Sequence, residues 1–171
     1  MKTFLYVLHM LVIAGCAFFL GGCFRKKVEV VDIENIIHFH FNYSVGCYMN
    51  GNYSMGFDLE NGKYIAFYKG DGISEDDKFV KEISKEKVLE LENKMKDVSI
   101  SKWNGFKESD LNVLDGNDFS LYIQREDKKS INASGYEKYP NNYSTVKGVI
   151  ESFFEDIFKE EIEKQKTTQS E

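Results

Sequence analysis

Proline occurs once in this 171-residue sequence, tryptophan once, and cysteine three times, at positions 16, 23 and 47. So few cysteines leave no paired Cys motif for a metal knuckle or a redox centre. A glycine-rich phosphate loop is missing, as is any Ser/His/Asp order, so the usual warrants for a P-loop enzyme or a triad hydrolase are absent. Basic charge is also short: 22 Lys and Arg stand against 28 Asp and Glu, a net charge of −6. Nucleic-acid binders carry a basic footprint, and this balance argues against that class. Aromatic residues, by contrast, are abundant, with ten Tyr and fourteen Phe. They supply enough apolar surface for a buried core, which argues against disorder for most of the chain.

The one long apolar run lies at the start. It extends from Phe4 to Leu20 behind Met1-Lys2 and is interrupted by His9 and Gly15. A basic start, an apolar centre and small residues at its end are the layout of a secretory signal peptide. An uncleaved anchor is the alternative, because the run is near the lower length limit for a spanning helix and Arg25-Lys26-Lys27 suits a stop-transfer flank. Leu20-Gly21-Gly22-Cys23 favours cleavage. This string resembles the lipobox of bacterial lipoproteins, whose peptidase cuts before a cysteine carrying diacylglycerol. The resemblance implies a cut between Gly22 and Cys23, a lipid thioether on Cys23, and a place at the cell membrane facing away from the cytoplasm. Two acyl chains suffice for stable anchoring, and residues 25–27 would add attraction to anionic headgroups. Ile13-Ala14-Gly15-Cys16 is a second lipobox-like string, but a cut there leaves Phe18-Phe19-Leu20 on the product. In a cell with two membranes, Phe24 rather than Asp after the lipid cysteine implies the outer one.

On that reading residues 1–22 are a leader, 23–34 a lipidated tether, 35–164 one globular domain and 165–171 a disordered polar tail. Cys16 leaves with the leader and Cys23 is lipidated. Cys47 then stands alone, so no disulfide can form within the mature chain.

Within the domain, Ile37, Phe39, Phe41, Tyr43 and Val45 alternate with polar residues, the period-two signature of a strand with one buried face. Tyr53, Met55, Phe57 and Leu59 form a second such run, and a third strand carries Tyr64 to Tyr68. Asn61-Gly62 between them predicts a two-residue hairpin with Glu60 opposite Lys63. Asn50-Gly51 cannot do the same, because a two-residue loop there would set the two apolar faces against each other. A three- or five-residue connection or a bulge near Cys47–Asn52 is expected instead. Residues 69–78 read as a polar loop. Ser84 offers an N-cap, and Val88, Leu91, Met95 and Val98 predict an amphipathic helix over 85–97 whose Lys- and Glu-rich remainder is solvated. Phe119, Leu121 and Ile123, a turn at Glu126 to Lys128, and Ser130 to Ala133 predict a strand pair. Gly135 to Asn142 reads as a loop. A last helix is expected from about Ser144 to about Lys164, with a broad apolar stripe. The order β-β-β-α-β-β-α predicts an α+β fold of two layers, a mostly antiparallel sheet of about five strands with the helices on one face.

Few residues offer chemistry. His38 and His40 are two apart on one strand and share a face, but zinc sites take typically three or four protein ligands, and no third is placed by spacing. They read as imidazoles on a polar face, with no metal or cofactor implied. Asp110-x-Asn112 followed by Asp115-Gly116 fails the EF-hand register, because the glycine is displaced. Cys47 as a nucleophile has no visible base-orienting partner. Trp103, Tyr136 and Tyr143 lie on aromatic loop segments and are the candidates for ligand or partner contact, with sealing of the core edge as the competing role for Trp103.

Trp103-Asn104-Gly105-Phe106, Leu114 through Ile123, and Gly135-Tyr136 with Pro140-Asn141-Asn142-Tyr143 also resemble a group of bacterial lipoprotein domains without an established activity, over about residues 40–158. That resemblance implies an α+β fold and transfers no site residues. Two functions are therefore expected in competition. The first is a non-enzymatic envelope domain that contacts membrane lipid through Cys23 and binds an envelope protein or polymer. The second is an envelope hydrolase using carboxylates from Asp110, Asp115 and Asp118, which would have to face one cleft.

Overall fold

The computed structural model describes residues 31–46 and 51–168. The leader, Leu20-Gly21-Gly22-Cys23, Phe24, residues 25–27, Cys47 and the end of the tail at 169–171 lie outside the described residues. No helix among the described residues is long and apolar enough to cross a membrane.

The architecture is α+β. Seven strands form one mixed sheet: β1 (Ile36–Ser44), β2 (Tyr53–Glu60), β3 (Lys63–Lys69), β4 (Phe79–Ile83), β5 (Phe106–Ser109), β6 (Asp118–Arg125) and β7 (Ser130–Tyr136). Their spatial order is β4-β3-β2-β1-β6-β7-β5, antiparallel throughout except for β5 beside β7. The helices are α1 (Lys85–Asp97), α2 (Tyr143–Ile157) and α3 (Lys159–Thr168).

The count of about five strands is thus corrected to seven. Both unforeseen strands are the edges, β4 and β5. In β4 the helix-facing positions are Phe79, Lys81 and Ile83, in register with Tyr68, Ala66 and Tyr64. A lysine in the middle of that row hides the alternation. Its ammonium lies over the Phe158 ring, 5.6 Å from the centroid, and donates to the Ile157 carbonyl at 2.8 Å. β5 has only four residues, too few for a periodic signal.

The hairpin at Asn61-Gly62 forms as its dipeptide dictates. Both residues have positive φ, +51° and +81°, and Glu60 pairs with Lys63. Two left-handed residues in succession match the strand twist, which is why Asn-Gly suits this turn. In the β1–β2 pair, odd residues face odd residues: Phe41 opposes Met55, and Tyr43 opposes Tyr53. That register is out of step with a two-residue hairpin at Asn50-Gly51. Residues 47–50, within the stretch where a three- or five-residue connection or a bulge is expected, lie outside the described residues.

One face of the sheet carries Phe39, Phe41, Phe57, Phe119, Leu121 and Ile123, each 3% exposed or less. Against it pack Leu91 and Met95 of α1 and Ile150 and Phe154 of α2, all fully buried. The Phe39 and Phe154 rings lie 5.8 Å apart. Val31 and Ile33 are also buried in this core, so the folded unit begins ahead of residue 35. Burying a side chain of this size contributes about 1.5–3 kcal/mol, which makes the shared apolar face the main source of stability.

Ser84 caps α1, its hydroxyl accepting from Lys87 N. One residue of the face expected to be solvated is in fact buried: Glu92, 4% exposed. The single C-terminal helix is corrected to two. Phe158 leaves helical geometry at φ −108°, ψ 18°, where Lys81 takes the Ile157 carbonyl. Phe158 N–H still donates to Phe154 O, and Ile162 N–H to Phe158 O. α3 then continues to Thr168.

Candidate functional site

The second face of the sheet carries His38, His40 and Asn42 of β1, Asp58 of β2, Phe67 of β3 and Tyr122 of β6. The alternation that turns Phe39 and Phe41 toward the helices turns these residues the other way. Register sets Asp58 directly opposite His38.

Three of these side chains converge. His38 Nδ1 contacts Asp58 Oδ1, and His40 Nε2 lies 3.1 Å from Asp58 Oδ2. Both carboxylate oxygens are thus engaged by imidazole. The two imidazoles stack, with centroids 3.9 Å apart and planes inclined by 23°. Tyr122 packs nearly perpendicular to His38 with ring centroids 5.0 Å apart, and Phe67 likewise to His40 at 4.7 Å. Gly56, opposite His40, makes room for that ring: a Cβ there would sit 2.9 Å from Phe67. Burial pushes the His40 pKa below its ordinary 6.5, against an opposing pull from the Asp58 hydrogen bond. The charges of His38 and Lys78 add to the lowering. The imidazole is accordingly neutral near pH 7, with a lone pair to donate.

Sequence reasoning placed His38 and His40 on one face but missed Asp58. The missing information was register. With no two-residue hairpin signal joining β1 to β2, the sequence leaves the offset between the strands open, so no spacing rule points from position 38 to position 58.

The aromatic candidates occupy a different part of the molecule. Trp103 ends the 3-10 turn Ile100–Trp103 and is 2% exposed. Its indole N–H donates to Asn141 O at 3.1 Å, and its ring stacks on Tyr143 at 5.6 Å. It closes the core beside β5 and shows only an edge to a groove of about 620 Å³ shared with Phe106 and Tyr139. Tyr143 is half-buried among Trp103, Phe119 and Tyr139. Burial raises its pKa strongly, and its hydroxyl has no hydrogen-bond partner among the described residues.

Tyr136 organises the loop that follows β5. Its hydroxyl donates toward Val113 O at 3.0 Å and Leu114 O at 2.9 Å, and it accepts from Gly116 N at 2.7 Å. Its carbonyl accepts from Asp110 N at 2.9 Å. Asp110 in turn accepts from the backbone and side chain of Asn112, both at 3.1 Å, which holds its carboxyl below the usual range. On the loop so pinned, Leu111 is 87% exposed and Leu114 92%. This pair was not singled out in the sequence, where Leu114 only opens the string that runs to Ile123.

Asp110, Asp115 and Asp118 have separate surroundings. Asp110 binds its own turn and lies 3.5 Å from Lys138. The Asp115 backbone packs against Gly46, where a Cβ would meet it at 2.3 Å. Asp118 opens β6 between Ser44 and Tyr136. Compared with known proteins, the chain matches no family model and no curated protein.

Proposed function

We propose that this chain is a lipid-anchored protein of a bacterial envelope, tethered through Cys23, whose folded domain binds an envelope protein or polymer rather than catalysing a reaction. The anchor rests on Leu20-Gly21-Gly22-Cys23 behind an apolar run. We read the domain as two layers, with helices on one face of the sheet and the other face left open.

The observation that carries the binding half is the exposure of Leu111 and Leu114 on a loop held in shape by Tyr136. Two leucines held almost fully in water forgo about 1.5–3 kcal/mol each that burial against a partner would recover. A pinned loop also loses little freedom when it docks, so more of that gain survives as affinity. The hydrolase reading needs two carboxyls facing one cleft, whereas Asp110 is already engaged by its own turn and by Lys138.

A photo-cross-linking residue placed at position 111 or 114 of the native, anchored protein tests this. A discrete adduct from both positions, and none from position 89 on α1, is the expected result. Adducts equally spread over all three positions, or none at all, would overturn the binding half. A bare thiol at Cys23 in the purified native product would overturn the anchor.

A further inference from the structure

We propose that His38, His40 and Asp58 form a binding site for one divalent transition-metal ion of the zinc and copper class, with a coordination position left open on the uncovered sheet face. The site stands on sheet geometry alone and is independent of the anchor.

The donor atoms are already gathered. One nitrogen from each imidazole and a carboxylate oxygen lie within 4.8 Å of one another. Bonds of about 2.0–2.2 Å in tetrahedral geometry separate neighbouring donors by about 3.3 Å. The 3.1 Å between His40 Nε2 and Asp58 Oδ2 is close to that spacing. Rotation of the His38 ring away from Asp58 would admit the ion between them.

The framework is rigid where it matters. Two ligands come from one strand at i and i+2, and the third comes from the neighbouring strand in register with the first. Their Cα positions are therefore fixed by ladder hydrogen bonds rather than by a loop. Tyr122 and Phe67 brace the imidazoles from both sides. Such rigidity reduces the ordering cost of binding.

The donor set selects the class of ion. Two imidazoles and one carboxylate suit zinc, copper and nickel, whereas calcium and magnesium prefer all-oxygen shells. Three protein ligands leave a fourth position for water or a partner's donor, the pattern of open rather than structural zinc sites. The ammonium of Lys78, 5.3 Å from the Phe67 ring, lies near enough to His40 to act in opposition to a bound cation.

Titration calorimetry of the full-length protein in detergent with zinc chloride is the test, with Co2+ as a spectroscopic substitute. One equivalent should bind, Co2+ should show the visible absorption of a low-coordinate nitrogen and oxygen site, and excess Ca2+ or Mg2+ should not compete. His40→Ala and Asp58→Asn should each weaken zinc by more than about 100-fold, because losing even an outer-shell partner of a ligand typically costs about 10–100-fold. Cys47→Ser should leave binding unchanged. X-ray absorption of the zinc-loaded wild-type protein should count two imidazoles, a readout that survives if a variant misfolds. Absence of saturable binding, an imidazole count other than two, or loss of binding in Cys47→Ser with retention in His40→Ala would overturn the site.

Discussion

The Glu92 carboxylate accepts the backbone N–H of Ile36 at 2.8 Å, inside the core. The contact joins the middle of α1 to the first residue of β1. The register between β1 and β6 shifts at this point, between Ile36 and His38. A bulge leaves backbone groups outside the ladder, and a buried N–H without an acceptor is destabilising. Glu92→Leu should therefore lower stability by about 1–3 kcal/mol in urea denaturation. Glu92→Gln, which keeps an acceptor oxygen, should lose clearly less. Equal losses in both variants would mean that the bond to Ile36 is not what Glu92 contributes.

Tyr136→Phe removes the hydroxyl that holds Val113 O, Leu114 O and Gly116 N together. The aromatic ring remains, so the sheet should persist. Hydrogen exchange at Gly116 should accelerate by at least tenfold, which corresponds to about 1.4 kcal/mol of lost protection. Cross-linking from position 114 should fall in parallel. Unchanged exchange would show that the loop is held by other contacts.

Tyr143→Phe should do the reverse. The hydroxyl is buried without a partner among the described residues, and replacing it by hydrogen leaves the stacking on Trp103 intact. Thermal denaturation should show no loss, and up to about 1 kcal/mol of gain. A marked loss would reveal a partner for that oxygen.

Lys81 clasps β4 to the end of the chain through Ile157 O and Glu161, the latter at 2.9 Å. The Lys81 hydrogen bond holds the Glu161 carboxyl below its ordinary 4.5. A carboxyl whose folded value is depressed stabilises the fold fully above its unfolded value and loses that contribution as pH falls through the folded one. Docking of α3 should therefore weaken below about pH 4.5. The effect should be modest, about 0.2–1 kcal/mol, as befits a partly exposed pair. Lys81→Met should abolish this part of the acid dependence, as measured by amide exchange across residues 159–164 at pH 7 and pH 3.

Legibility in the sequence followed the length of each periodic signal. β1 and β2 alternate over several residues, β3 is a short unbroken apolar run between two lysines, and Asn61-Gly62 set one register outright. α1 was marked by its Ser84 cap and its apolar spacing. What escaped was whatever a period cannot encode. Lys81 interrupts the inward row of β4 because a long side chain can bury its stem and still reach a carbonyl. Glu92 looked like surface because burial of a carboxylate depends on a backbone N–H that comes from another element. The break at Phe158 lies inside an unbroken apolar stripe and has no proline or glycine to announce it. Asp58 joins His38 and His40 only through strand offset, and the exposure of Leu111 and Leu114 depends on where a tyrosine hydroxyl from β7 reaches.

The two ends of the sheet carry a consequence for crowding. β4 and β5 present only five and four residues of unpaired ladder. Long bare edges invite copies of a protein to stack side by side, and stubby ones do not. Molecules confined to a surface meet one another far more often than molecules in bulk, so lateral aggregation would be their ordinary hazard. If the domain is tethered as proposed, such blunt sheet ends would let it be packed densely while each copy stays separate.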